Sequence, residues 1–237
     1  MFISSEDISQ RIVNAPAPVL FIDTCIFLDI LRSVYRDTIH VNAISSTLDL
    51  IKLSQSIPPK VWLMTNQTVH REWNENIADV KKELEKEIKK SALTRDKLMT
   101  AADIIFKAKH PHGQSIISLN LHEHLNNLSN NLLNHCLIMQ EEDDYLSKAM
   151  RRVTKCIAPA KKGKNEPKDC LIFEAFLDIS DKIRELGYCE NIYFLTSNSN
   201  DYGKPNQSLV EDDLKKIKAK LLNNLQWALT LAEGHTL

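Results

Sequence analysis

The sequence predicts an α/β fold with a mainly parallel central sheet, and three observations carry that expectation. Short apolar runs of strand length recur at VLFID (19–23), VWLMT (61–65) and NIYFLT (191–196). Each is followed by, or leads through a polar loop to, a segment with helical spacing, and strands that alternate with helices call for crossover connections and parallel pairing. At 237 residues the chain fits a single domain, 1–237, and 43% hydrophobic with 26% charged residues is ordinary globular usage, so disorder is not expected.

Taken in order, VLFID lacks polar alternation and reads as a strand buried on both faces, with FLDILR opening a helix directly after it. VWLMT follows the Pro58-Pro59 break and runs into NQTVHREWNENI, where Asn66 or Thr68 suits the N-cap of a helix. From residue 77, IADVKKELEKEIKK sets Ile77, Val80, Leu84 and Ile88 at helical spacing among lysines and glutamates. That is an amphipathic helix packing one stripe on the body or on a second subunit. Helical patterning resumes over 92–109 and, after the HPHG turn, over 119–150, so residues 76–152 are expected to form a helical insertion.

A lysine-rich loop then feeds a strongly apolar helix in which Pro167 takes the first helical position. After NIYFLT comes the polar loop SNSNDYGKPNQS. A final helix, with Leu214, Ile217, Leu221, Leu225 and Trp227 among its apolar positions, closes the chain. Trp73 and Trp227 are expected in the core.

Several function classes are excluded. The five glycines all lie beyond residue 112 and none cluster, so phosphate-cradling GxGxxG or Walker loops are absent. A net charge of -1 gives no overall pull on a polyanion, so a nucleic-acid partner must meet a local patch. The cysteines, Cys25, Cys136, Cys156, Cys170 and Cys189, are odd in number and form no CxxC pair, which suits reduced thiols in a cytoplasmic protein. His110 with His112 and His122 with His124 stand two apart, on different helix faces, and zinc is not expected. MFISSEDISQ lacks a basic start and an apolar core, so it does not read as a signal peptide. No apolar run approaches the roughly 18 residues of a membrane span.

Four acids fall where an open parallel sheet collects ligands, beyond the carboxyl ends of its strands. Asp23 ends the first strand, and a buried carboxylate there is costly unless a donor or cation compensates it. Glu72 lies in the early turns of the helix after the second strand. Asp169 lies in the first turn of the helix after the lysine loop, and Asp201 follows YFLT by a few residues. Helix amino termini favour the ionised forms of Glu72 and Asp169. Hard divalent cations such as Mg2+ or Mn2+ suit such carboxylates.

FIDTCIFLDIL, TNQTVHREW, GKNEPKDCLIFEAF and FLTSNSNDY resemble, in order, the four acidic motifs of PIN-domain nucleases. Thr196, Asn198, Asp201 and Tyr202 match T-x-N-x-x-D-[FY], and Asp23 with Thr24 matches the Asp-Thr pair of the first motif. The likeness covers about 18–76 and 160–205 and leaves out the helical stretch between. It implies a three-layer αβα sandwich and Mg2+- or Mn2+-dependent hydrolysis of phosphodiesters, usually in RNA, with single-stranded DNA as the other candidate. On this resemblance Asp23 and Asp169 hold the principal metal, Glu72 and Asp201 complete the acidic pocket, and Thr24, Thr196 and Asn198 orient ligands or the scissile phosphate. One departure is Cys25, which stands where many members carry asparagine.

Lys161, Lys162, Lys164 and Lys168 precede or adjoin Asp169 and are candidates for holding a nucleic-acid backbone. Glu174 is left out, because five residues along a helix from Asp169 turn it roughly 140° away. Two other functions compete. A phosphatase of haloacid-dehalogenase type needs a second aspartate two residues after Asp23, where this chain has Cys25. A PIN fold without catalysis, acting as an RNA-binding or scaffolding protein, is opposed by the presence of all four acids. A homo-oligomer and an inhibitory protein partner are both compatible with the helical stretch.

Overall fold

The computed structural model describes residues 2–109, 111, 113–163 and 167–234; His110, His112 and Lys164 lie outside the described residues. Strands β1 (Val19–Ile22), β2 (Trp62–Asn66), β3 (Leu137–Met139), β4 (Ile192–Leu195) and β7 (Ala219–Leu222) form one sheet, and β5 (Gly203–Lys204) pairs with β6 (Gln207–Ser208) in a small hairpin. The helices are α1 (Ser5–Asn14), α2 (Thr24–Arg32), α3 (Ala43–Ser54), α4 (Gln67–Phe106), α5 (Leu121–Asn134), α6 (Asp143–Lys155), α7 (Pro167–Glu185), α8 (Ser199–Tyr202), α9 (Glu211–Lys216) and α10 (Leu225–Ala232).

The main sheet has the order β3-β2-β1-β4-β7, and every pairing in it is parallel. β1 lies at the centre with Leu20 beside Leu63 and Tyr193, and all four of its residues are buried. Crossovers place helices on both faces, giving the expected αβα sandwich. α1 and α6 pack on α7, while α2 packs on α4 and α5. Phe21, Phe173, Phe176, Phe194 and Tyr202 meet edge-on or tilted at ring separations of 5.0 to 5.9 Å between β1, β4, α7 and α8. Each such pair is worth about 0.5–1.5 kcal/mol beyond its burial. This cluster anchors α7 and α8, which carry Asp169 and Asp201, against the two central strands.

The helical addition is α4, capped by the Asn66 side chain on the Val69 N–H at 3.0 Å. No glycine or proline interrupts it, and its 40 residues extend about 60 Å at the usual rise. Val80 and Leu84 of the expected stripe are buried, with Ile77 and Ile88 packed against the core, and buried positions end at Ala92.

Three expectations are corrected. The stretch 76–152 is not helical throughout, because Leu137–Met139 forms β3 and pairs with β2. The expected final helix is instead α9, β7 and α10: Lys218 takes a left-handed φ of 52°, which ends the helical path and lets Ala219 enter the sheet beside Ile192. Trp227 is 39% exposed on α10, whereas Trp73 is buried and donates its indole N–H to Ser129 at 2.9 Å.

Candidate metal-binding active site

β1 delivers Asp23 to the carboxyl end of the sheet, where it becomes the N-cap of α2. Its Oδ1 accepts from the Thr24 N–H at 2.7 Å. Its Oδ2 accepts from the Thr196 hydroxyl at 2.6 Å and from the Cys25 thiol at 3.2 Å. The residue is 3% exposed, and burial pushes its carboxyl above the usual range; the Thr196, Cys25 and Thr24 donors offset part of that rise and the Glu72 charge adds to it. Donors alone therefore do not remove the cost of ionising Asp23, and a cation would.

Cys25, at the position of the family's asparagine, fills a hydrogen-bonding role. Its sulfur contacts Asp23 and Thr196 and accepts the Ser197 N–H at 3.2 Å. Burial, followed by the charges of Asp23 and Asp29, drives this thiol far up, so it stays protonated and donates. Tyr202 is held protonated by the same cause, burial first and then Asp23 and Asp169, and its hydroxyl donates to the Asp169 carbonyl at 3.0 Å.

The other acids join this centre through two chains of hydrogen bonds. Thr24 Oγ1 donates to Glu72 Oε2 at 2.6 Å, linking α2 to α4. Thr196 Oγ1 also accepts the Asn198 N–H at 3.1 Å, and the Asn198 amide donates to Asp201 Oδ2 at 2.9 Å and to Asp169 Oδ2 at 3.4 Å. Asp23, Glu72, Asp169 and Asp201 are thus linked in one hydrogen-bond network through Thr24, Thr196 and Asn198. Asp201 is 1% exposed, Asp169 half-buried.

The lysines divide. Lys161 Nζ lies 3.0 Å from Asp201 Oδ1, and Lys168 Nζ lies 3.6 Å from Glu72 Oε1 and 3.0 Å from Glu75 Oε2. Lys162 is exposed. Glu174 faces elsewhere, paired with Arg152.

Two residues that sequence reasoning did not single out also adjoin the centre. Asp29, buried on α2, accepts the Ser197 hydroxyl at 2.5 Å. An acid inside the apolar run IFLDIL was the signal that could have marked Asp29; nothing marked Ser197 beyond its place next to Thr196.

The donor set is oxygen-rich and suits a hard cation. Among the described residues no three carboxylate, imidazole or thiol side chains gather into a ready-made cage. Magnesium does not need one, because it keeps several waters and takes one or two carboxylates. The acids fit Mg2+ or Mn2+ in kind.

A parallel sheet crossed by helices, with acids from four separate segments linked beyond its carboxyl edge, defines a PIN-like α/β protein. A family model for the PIN domain matches residues 20–202, and the chain belongs to that family, a nuclease superfamily. Neither the curated proteins nor the solved structures gave a match.

Proposed function

We propose that this protein is a metal-dependent endonuclease that hydrolyses phosphodiester bonds in RNA, using Mg2+ or Mn2+. One observation carries the reading: Asp23, Glu72, Asp169 and Asp201 come from four distant segments and are tied together through Thr24, Thr196 and Asn198. Such a network costs side-chain entropy and concentrates negative charge, which a purely structural role does not require.

In this reading Asp23 and Asp169 would hold the metal, and Glu72 and Asp201 would complete the acidic pocket around it. The bound ion supplies a Lewis acid and a water of lowered pKa. The chain does the rest. Thr24 fixes the Glu72 carboxylate, Thr196 fixes that of Asp23, and the Asn198 amide spans Asp169 and Asp201. Lys161 and Lys168, half-exposed beside Asp201 and Glu72, would hold backbone phosphates. Lys162 and Lys164 belong to the same basic run. Among the described residues no helix is long and apolar enough to cross a membrane. Five cysteines outside any disulfide support a reducing compartment such as the cytoplasm.

A second reading rests on the same lysines. Their ammonium groups already offset charge on Asp201 and Glu72, as they would in a PIN fold that binds RNA without cutting it. The experiment that decides is cleavage of total RNA in Mn2+, with EDTA and Asp23→Asn as controls. Metal-dependent cuts lost in both controls support the nuclease. RNA binding without cuts, and no Mn2+ heat by calorimetry, supports the second reading.

A further inference from the structure

Beside the acidic centre, beyond the same carboxyl edge of the sheet, lies a pocket of about 240 Å³ between α2, the 38–40 loop, α3 and the start of α10. It is smaller than the roughly 300–1,000 Å³ of drug-sized ligand sites, so it suits a single ring system rather than a whole nucleotide. Its wall includes Ser197, whose neighbour Thr196 holds Asp23, and Ile26, in the first turn of the helix that Asp23 caps. The pocket therefore opens within a residue or two of the groups assigned to the scissile phosphate.

The lining has the chemistry of a base reader. Trp227, an aromatic residue, is among the lining residues and is 39% exposed despite its bulk. Asn224 is spent on capping α10, accepting the Trp227 N–H at 2.9 Å while its amide donates to Asn223 Oδ1 at 2.9 Å. That leaves the Asn223 amide nitrogen and the whole Gln226 amide for a ligand. His40 accepts the Asn42 N–H at its Nδ1, so its Nε2 is the ring nitrogen left over. Asp29 supplies a carboxylate, placed by Ser197 on Oδ2 and by Arg32 at 3.5 Å from Oδ1; a carboxylate has about four acceptor sites, so capacity remains. Among the described residues no lysine or arginine lines the pocket, and its side-chain amides, ring and carboxylate match the groups of a base.

We propose that this pocket binds an unpaired nucleobase next to the cleaved phosphodiester, and that Asp29 selects a base offering amino and imino hydrogens, guanine first. Trp227 stacks on the ring while Asn223 and Gln226 address its edge, the mode by which proteins read single-stranded RNA. Uracil presents a single imino hydrogen and no amino group, and is disfavoured. This selectivity rests on the nuclease reading only for its biological use; the binding itself does not need cleavage.

The test is titration of the full chain, in EDTA, with guanosine 5′-monophosphate, uridine 5′-monophosphate and ribose 5-phosphate, read by tryptophan fluorescence and calorimetry. Guanosine monophosphate should quench fluorescence and bind about tenfold or more tighter than uridine monophosphate, the discrimination expected of one good bidentate pair. Ribose 5-phosphate should give no quenching. Gln226→Ala and Asn223→Ala, at partly or fully exposed positions, should fold as the parent by circular dichroism and weaken the guanosine titration severalfold. Trp227→Phe should remove the quenching. Equal binding of ribose 5-phosphate, no nucleotide binding, or unchanged affinity in both amide variants would overturn the proposal. Nucleotide binding in a protein that never cuts RNA overturns the nuclease reading alone. Cleavage with no base preference at the cut overturns the pocket alone.

Discussion

Thr24 Oγ1 donates to Glu72 Oε2 across 2.6 Å, joining the first turn of α2 to α4 over 48 residues of sequence. The same Thr24 gives its backbone N–H to Asp23, so one residue orients two of the four acids through different atoms. A buried-side donor to a charged acceptor contributes roughly 1.5–3 kcal/mol.

Thr24→Val keeps the shape and removes the hydroxyl. Glu72 retains Lys168 and some solvent exposure, so the expected loss is at the low end, about 1.5 kcal/mol by urea denaturation. Cleavage in Mn2+ should fall far more than stability does, and Thr24→Ser should restore both. Full activity in the valine variant would remove this hydrogen bond from the mechanism.

Asp23→Asn separates chemistry from folding by its pH dependence. Burial holds the Asp23 carboxyl above its ordinary value in the fold, so the folded chain binds its proton more tightly than the unfolded chain does. The sign follows: this group's contribution to stability falls as pH rises from below about 3.9 through the raised value. In EDTA the asparagine variant, still a good N-cap, should therefore be more stable than the parent at pH 7 and no more stable near pH 3. Urea midpoints at the two pH values check it, and a less stable variant at pH 7 would contradict the burial argument.

Lys161 and Lys168 can be tested apart from catalysis. In the Asp23→Asn background, replacing either with alanine should weaken RNA binding and lower the magnitude of the salt slope by about one for each phosphate the side chain neutralises. Filter binding from low to moderate salt gives the slope. An unchanged slope would confine both lysines to pairing with Asp201 and Glu72.

How far the sequence revealed this arrangement depended on the local signal. β1, β2 and β4 were legible because strands buried on both faces read as unbroken apolar runs. β3 has three residues, too few to show a period, and sits after a true helix. β7 was masked because Leu214, Ile217, Leu221 and Leu225 happen to fall at helical spacing. The break is made by Lys218, a residue that gives no warning of positive φ. The acids were legible as strand-end and helix-start residues. Their connection through Asn198, the part played by Cys25, and the pocket formed by Asp29 with α10 were not, since each needs side chains from elements far apart in the chain.

Arg152 offers a structural counterpart to the acidic centre. Its guanidinium is buried between Glu174 and Asp213, lies 2.9 Å from Asp213 Oδ2, donates to the Ala158 carbonyl at 2.6 Å, and sits 5.0 Å over the Phe173 ring. Removing one partner of a buried pair strands the other charge, so Arg152→Met should cost about 3–5 kcal/mol. Burial works to raise the Asp213 carboxyl, but Arg152 and Lys216 overcome it and hold the group below its usual value. That part of the stability is present above about pH 3.9 and is lost as pH falls through the depressed value. The gap between parent and Arg152→Met should accordingly be widest at neutral pH and narrow in acid. Denaturation at pH 7 and near pH 3 measures both, and a gap of the same size at the two pH values would show that Arg152 stabilises by packing on Phe173 rather than by charge.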